Sequence, residues 1–105
     1  MNSKDIGKLY EDRAVQFLLN KGYIIVGRNI RYKKIEIDIL CKYENKFIVV
    51  EVKYRSSFHF LHISPQQIHR IANYMEYFYP EEFYQIDLVL CDRTNIEHVI
   101  NIQIN

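Results

Sequence analysis

Two adjacent segments joined by a short polar link constrain the fold more than any other feature. Residues 35–41 carry apolar side chains at every second position, namely Ile35, Ile37, Ile39 and Cys41, which is typical of a half-buried strand. Residues 47–55 begin as a nearly continuous apolar run and then place Glu51 and Lys53 two positions apart. Because the polar residues 42–46 separate these segments, we predict an antiparallel β-hairpin.

The apolar pattern also predicts how the two strands are aligned. A loop centred on Glu44-Asn45 with an even number of residues places Asp38 opposite Glu51. One face is then almost wholly apolar and the other carries all four charges, whereas a slip of one residue would mix the faces. The remaining predicted pairs are Glu36 with Lys53, Ile37 with Val52, Ile39 with Val50, and Cys41 with Ile48.

This alignment brings two carboxylates together. Directly opposed side chains on paired strands lie about 4.5–5.5 Å apart, and like charges there are destabilising. Lys53 offsets part of the repulsion between Asp38 and Glu51, and a divalent cation would remove it. Since Mg²⁺ is usually held by one or two carboxylates, we predict a Mg²⁺ or Mn²⁺ site here. The alternative is a solvated Glu51–Lys53 pair at the end of a strand.

The rest of the chain predicts a single α/β domain over residues 1–105, since 105 residues suffice for one core. Asn2 or Ser3 can cap the first helix, and Ser64 can cap the second, with Gln67 closing a capping box. The order α-β-β-β-α-β-β predicts a mixed sheet flanked by helices. The predicted elements are a helix to about Asn20, strands at 23–29, 35–41 and 47–55, a helix to about Tyr79, and strands at 83–91 and 97–104.

Composition narrows the class of protein. No apolar run approaches the ~18 residues of a membrane span, and nothing at the N-terminus resembles a signal peptide. Cys41 and Cys91 lie inside different predicted strands, which favours buried thiols over a disulfide.

Charge divides unevenly along the chain. Residues 1–55 hold twelve Lys and Arg against seven acids, a net charge of +5, whereas residues 56–105 carry a net charge of −4. The basic half contains the predicted metal site, so its cations are candidate phosphate contacts; the alternative is a solvated basic face. These candidates are Arg28, Arg31, Lys33, Lys34, Lys42, Lys46 and Arg55.

Three further positions have competing interpretations. Glu11 lies at the edge of the apolar stripe of the first helix, where it is either solvated or reaches over Asp38 and Glu51. Residues 56–63 show no periodicity and could form a flap near a substrate. His59 and His62 are three positions apart, but no Cys or carboxylate cluster completes a zinc site.

Asp38, followed after a hairpin by Glu51-Val52-Lys53, resembles the PD-(D/E)XK nuclease superfamily, and the chain as a whole is more closely similar to the YraN family. Two positions depart from that family, which usually has Gly in place of Ile35 and Lys in place of Gln67. The matching pieces are Gly7, Glu11, Ala14, Gly22-Tyr23, Arg28-Asn29, Arg31, Glu36-Ile37-Asp38, Val50-Glu51-Val52-Lys53, Arg55, Arg70-Ile71-Ala72 and Ile86-Asp87.

The resemblance implies a restriction-endonuclease-like or Holliday-junction-resolvase-like fold and a cytoplasmic location. It implies a Mg²⁺- or Mn²⁺-dependent endonuclease acting on DNA, with branched or structured DNA among its candidate substrates. The implied metal ligands are Asp38, Glu51, the Val52 carbonyl and Glu11, with Lys53 completing the catalytic set. The implied nucleic-acid contacts are Arg28, Arg31, Lys33, Lys34, Arg55 and Gln67.

Two alternatives remain open at this point. The same fold could bind nucleic acid without cleaving it, which fits both departures from the family pattern. A protein-interaction domain could instead dock its acidic half onto a basic partner. The last strand, as a sheet edge, could also pair with a second copy in a homodimer.

Overall fold

A computed structural model of the protein describes residues 2–54 and 63–102. The predicted element order and the α/β class are confirmed. The predicted contact from Arg55 lies outside the described residues, as do His59, His62 and all of the predicted flap except Ile63. The elements are α1 (Ser3–Asn20), β1 (Ile24–Tyr32), β2 (Ile35–Tyr43), β3 (Lys46–Tyr54), α2 (Pro65–Phe78), β4 (Tyr84–Cys91) and β5 (Ile96–Val99).

Local sequence signals set the ends of both helices. The Asn2 side chain accepts a hydrogen bond from the Asp5 N–H at 2.9 Å, and the Ser64 hydroxyl accepts one from the Gln67 N–H at 3.1 Å. These bonds satisfy amides that have no partner inside the helix. Helix α1 ends where Gly22 adopts a φ of +91°, a backbone conformation that glycine allows without strain.

Five strands form one mixed sheet in the order β1-β2-β3-β4-β5. Only β3 and β4 are parallel, and α2 lies in the connection between them. The predicted hairpin loop is confirmed, because Glu44 and Asn45 both have positive φ and Tyr43 pairs with Lys46. The predicted pairs Cys41–Ile48 and Ile39–Val50 are also confirmed.

Both faces of the hairpin are buried, so the prediction of one apolar face and one charged face is wrong. On one face, Ala14 and Leu18 of α1 pack against a core that includes Ile39 and Val50. On the other face, α2 packs against residues that the predicted alignment assigned to the charged side, namely Leu40, Phe47 and Val49. The two helices therefore cover opposite sides of the sheet.

The last strand is shorter than predicted. It ends at Val99, and Asn101 has a φ of +56°, which interrupts the ladder, although the Ile102 N–H still donates to the Ile86 carbonyl of β4 at 2.7 Å. Residues 103 and 104 of the predicted strand lie outside the described residues. The first strand is longer than predicted, since its pairing with β2 continues to Tyr32. In the described parts of the chain, no helix is long and apolar enough to cross a membrane.

A buried polar cluster attaches β5 and the following turn to the sheet. The Asp87 side chain is fully buried, and its Oδ2 lies 2.7 Å from Nε2 of His98 on β5. Its Oδ1 accepts hydrogen bonds from the Asn101 N–H and the Gln85 amide, both at 2.8 Å. Lys21 Nζ lies 2.8 Å from the other ring nitrogen of His98. Since an ammonium can only donate, His98 accepts there and donates its Nε2–H to Asp87.

We therefore expect His98→Leu to lower the free energy of unfolding by about 2–4 kcal/mol, because it leaves a buried carboxylate short of a partner. Urea denaturation at neutral pH measures the change. The matched control is His69→Leu, which replaces an exposed histidine on α2 and should change stability by less than about 0.5 kcal/mol. Equal effects of the two substitutions would contradict a structural role for the Asp87–His98 pair.

Candidate metal and nuclease site

The hairpin strands separate at the position where the acidic residues lie. The ladder between β2 and β3 ends at Ile39–Val50, and beyond it β2 stays paired with β1 while β3 stays paired with β4. The predicted backbone pairs Ile37–Val52 and Glu36–Lys53 are therefore wrong within the described ladder. We call the opening between the two strands the fork.

An irregularity in β2 produces this fork. Ile37 and Ile39 are two positions apart, yet Ile37 packs in the core beneath α2 and Ile39 in the core beneath α1. In a regular strand they would share a face. The pairs Arg28–Ile39 and Ile30–Ile37 flank Asp38, and Asn29, which lies between them on β1, has a φ of +51°. The change of face at Asp38 makes the ladder with β3 end there.

Asp38 bridges the fork with its side chain. Its Oδ2 accepts a hydrogen bond of 2.9 Å from the Val52 N–H. Asp38 is also hydrogen-bonded to Glu51, so the predicted proximity of the two carboxyl groups is present although their backbones do not pair. The adjacency arises from a side chain reaching across an opening and not from a cross-strand pair.

Glu51 lies deeper than Asp38 and approaches the fork from the α2 side. It is 2% exposed, and the Gln67 side chain of α2 donates a hydrogen bond to it. Its Oε1 is buried and has no hydrogen-bond partner in the described part of the chain. A buried carboxylate oxygen without a partner is costly, and it is a natural ligand position for a cation.

Burial perturbs the protonation of both acids. Loss of hydration, and after it the nearby charge of Asp38, together raise the pKa of Glu51 to about 9, although Lys53 opposes the shift. Burial also raises the pKa of Asp38, against the Val52 N–H bond and the Lys53 charge. Because two carboxylates this close cannot both ionise at low cost, the pair shares a proton at neutral pH when no cation is bound.

Glu11 faces the same region from α1. It lines a cavity of about 490 Å³ together with Gly7, Tyr10, Asp38 and Val52. Burial raises its pKa, and the charge of Asp38 adds to the shift, so the two acids are electrostatically coupled.

The residues fit a hard divalent cation. Two carboxyl groups share a proton that a cation can displace, and one buried oxygen is free to coordinate. Within residues 2–54 and 63–102, no group of three His, Cys, Asp or Glu is close enough to hold a metal. The protein side chains that fit are therefore Asp38 and Glu51, and Glu11 lines the same cavity as Asp38.

The predicted nucleic-acid contacts have different surroundings. Arg28 forms ion pairs with Glu11 at 3.2 Å and with Asp12 at 2.6 Å. Arg31 lies 3.7 Å from Glu36, and both side chains are largely exposed. The Gln67 N–H donates to the Ser64 hydroxyl, as the predicted cap requires. The Gln67 side chain bonds Glu51, so it does not close the predicted capping box and does not point freely into solvent.

Lys33 and Lys34 form the β1–β2 turn and border a second depression, which the sequence reasoning missed. Tyr74 and Tyr77 of α2 line it as well. The sequence did contain a signal for this depression, in the aromatic residues at positions 74, 77, 78 and 79. A single apolar stripe on a helix accounts for only some of them, so the others were candidates for an exposed aromatic surface.

Together, the fold and the site define an α/β protein with two coupled carboxyl groups and a lysine at the opening of a mixed sheet. Residues 10–91 match the family described as "Uncharacterised protein family UPF0102", and the chain belongs to that family.

Individual relatives carry the same family designation. A UPF0102 protein of Aquifex aeolicus is 36% identical over 93 residues, covering 88% of this chain and 90% of the relative. One from Fusobacterium nucleatum is 34% identical over 89 residues, covering 81% and 75% of the two chains. One from Flavobacterium psychrophilum is 50% identical over 56 residues, covering 53% and 47%. The similarity thus extends across most of the sheet.

The raised pKa of Glu51 predicts how stability depends on pH in metal-free buffer. The pKa of Glu51 in the folded protein, about 9, exceeds the ordinary value of 4.5. The contribution of this side chain to folding stability is therefore fully present below pH 4.5 and is lost as the pH rises toward 9. Glu51→Gln replaces the carboxyl with an amide that does not ionise, so the variant does not lose this stability as the pH rises. We expect the free energy of unfolding of the variant to exceed that of the wild type by about 1–3 kcal/mol at alkaline pH, and the difference to vanish toward pH 4.5.

Urea denaturation at several pH values in the presence of EDTA measures this. Glu36→Gln, at an exposed position on the neighbouring strand β2, is the control and should leave the pH profile unchanged. Parallel profiles for wild type and Glu51→Gln would show that the carboxyl of Glu51 is not perturbed.

Proposed function

We propose that this protein is a nuclease that uses Mg²⁺ or Mn²⁺ to cleave phosphodiester bonds of DNA. The observation that carries the proposal is the coupled pair Asp38–Glu51 at the fork, with one buried oxygen of Glu51 unpartnered. Buried acids that share a proton destabilise a fold, so their presence at a cavity favours a functional role. The resemblance to PD-(D/E)XK nucleases leads to the same chemistry.

Asp38 and Glu51 would hold the cation, and the carbonyl of Val52, between them and Lys53, is a further candidate ligand. When bound, such a cation lowers the pKa of water and stabilises negative charge on phosphate oxygens. The remaining chemistry depends on the protein's own groups at the fork. Asp38 is held in position by the Val52 N–H, and Glu51 by Gln67.

Lys53 supplies a positive charge close to both acids, since it lowers the pKa of each against the larger effect of burial. It is half-buried on β3, where the parallel ladder with Leu90 of β4 holds its backbone. A fixed ammonium at this position stabilises the charge that develops on a phosphate as a bond to phosphorus breaks.

Glu11 and Arg28 shape the approach to the fork. Glu11 holds the Arg28 guanidinium at the rim of the cavity that Asp38 also lines. Arg28 has further hydrogen-bond donors beyond those used by Glu11 and Asp12, so it can contact a phosphate while remaining in place. This role is compatible with Glu11 acting as a positioning residue and not as a metal ligand.

The competing function is nucleic-acid binding without cleavage. It is favoured by Gln67, which stands where the related family usually has a lysine, because an amide cannot supply a charge to a phosphate. The two functions differ in turnover and not in binding, so a cleavage assay separates them.

For the cleavage assay, supercoiled and four-way-junction DNA are incubated with the full-length protein and Mn²⁺. We expect cleavage that falls by about 10²–10³-fold in Lys53→Ala, because a fixed charge is lost from the site. DNA affinity should change less than about threefold, since one phosphate contact among several is removed. The matched control is Lys8→Ala, which removes an exposed lysine of α1 that is not among the candidate phosphate contacts and should cleave normally. Binding without any cleavage by the wild type would support the competing function.

Metal binding has a separate readout. Titration calorimetry with Mn²⁺ should show binding by the wild type and by Glu36→Ala, and none by Asp38→Ala, because Asp38 is a proposed ligand and Glu36 is an exposed acid on the same strand. Undiminished binding in Asp38→Ala, with its fold verified by circular dichroism, would contradict the site.

A further inference from the structure

A second concave surface lies beside the fork, between the β1–β2 turn and α2. It is a cleft of about 480 Å³. We call it the tyrosine cleft, and its lining includes Tyr32, Lys33, Lys34, Arg70, Tyr74 and Tyr77. Nothing in the cleavage chemistry proposed above requires these residues, so their arrangement needs its own explanation.

The aromatic rings form a platform that is supported from below and open above. Tyr77 is 70% exposed, although it lies on a helix that buries its neighbours Tyr74 and Met75. Its ring is nearly parallel to that of Tyr32, with an interplanar angle of 20° and centroids 6.0 Å apart. Phe78 and Tyr74 hold Tyr32 edge-on, at centroid distances of 4.9 and 6.0 Å. The platform is therefore rigid on its buried side and leaves tyrosine surface for a planar ligand.

The charge of the cleft selects an anionic ligand. Among the described residues, those that line it include three cations and no acid. Lys33 and Lys34 are exposed at the turn, and Lys33 Nζ lies 5.3 Å from the centre of the Tyr32 ring. Aromatic surface combined with flexible cations is the pattern by which proteins bind single-stranded nucleic acid, where a base stacks and its phosphates meet Lys or Arg.

The position of the cleft connects it to the fork along two elements. Ile35 lines the cleft and Asp38 follows three residues later on β2, a distance of about 10 Å along a strand. On α2, Arg70 lines the cleft and Gln67, which bonds Glu51, lies about 5 Å further along the helix axis. Stacked nucleotides rise about 3.4 Å each, so the gap corresponds to a few nucleotides.

We propose that the tyrosine cleft binds an unpaired base of DNA a few nucleotides from the fork. The base stacks on Tyr77, and Lys33, Lys34 and Arg70 contact the adjoining phosphates. A base in the interior of a duplex is stacked on both faces by its neighbours and offers no free face to the tyrosine, whereas an unpaired base can present one. This proposal rests on the proposed function for the identity of the polymer as DNA. It extends that function by assigning the substrate an unpaired segment, as in a flap, a gap or an overhang.

The test compares binding of two DNAs to the full-length protein in EDTA, where no cleavage contributes. One is a blunt duplex, and the other is the same duplex with a short single-stranded overhang that carries 2-aminopurine. We expect tighter binding of the overhang DNA and quenching of the 2-aminopurine fluorescence on stacking. Tyr77→Ala should weaken overhang binding by about 5–100-fold, leave blunt-duplex binding within twofold, and abolish the quenching.

Two further variants serve as controls. Tyr77→Phe keeps the ring and should retain both the affinity and the quenching. Phe83→Ala removes an aromatic side chain that is 79% exposed at the opposite end of the sheet, beside the start of β4, and should change neither. Since positions 77 and 83 are both exposed, we expect their variants to keep the wild-type thermal midpoint to within a few degrees.

Equal affinity of the wild type for the two DNAs, or an equal loss in Tyr77→Ala on both, would overturn the cleft proposal. Failure of the nuclease proposal has a different signature. If overhang binding depends on Tyr77 but no DNA is cleaved in Mn²⁺, the cleft stands and the protein is a binding module. If DNA is cleaved without any preference for unpaired segments, the nuclease stands and the cleft proposal is wrong.

Discussion

The hydrogen bond from the Val52 N–H to the Asp38 carboxylate joins two strands at the point where their own ladder has stopped. Beyond Ile39–Val50 the facing edges of β2 and β3 no longer have each other as partners. A buried amide without a partner is costly, and Asp38 removes that cost for Val52. The same carboxylate thereby becomes fixed in direct contact with Glu51. The hydrogen bond that satisfies the Val52 N–H therefore also positions Asp38 beside Glu51.

This arrangement has a thermodynamic consequence for the whole domain. Glu51 is almost fully buried, its Oε1 has no partner in the described chain, and it shares a proton with Asp38. Replacing such a group by a neutral one of equal shape usually stabilises a protein. A chain that retains it sacrifices stability at neutral pH, and the cation proposed for this site would recover part of the loss on binding.

The two helices deliver different groups to the same opening. From the α1 side, Glu11 lines the cavity that contains Asp38 and holds Arg28 at its rim. From the α2 side, Gln67 reaches Glu51, and one turn later the same helix borders the tyrosine cleft. Because α1 and α2 pack on opposite faces of the sheet, the fork is the place where both can contribute. The buried Asp87–His98 pair attaches β5, at the far edge of the sheet, to β4.

Local patterns in the sequence determined the order of elements, both helix caps, the hairpin loop at Glu44-Asn45 and its alignment as far as Ile39–Val50. These features depend on neighbours in the chain, so periodicity and turn chemistry suffice to predict them. The proximity of Asp38 and Glu51 was predicted for an incomplete reason, since it arises from a side chain spanning the fork and not from a continued ladder. The tertiary structure alone decided that both faces of the hairpin are buried, that Gln67 bonds Glu51, and that Tyr77 of α2 stacks beside Tyr32 of β1. Those contacts join residues distant in sequence, and the packing of helices on opposite faces of a sheet is set by the whole core.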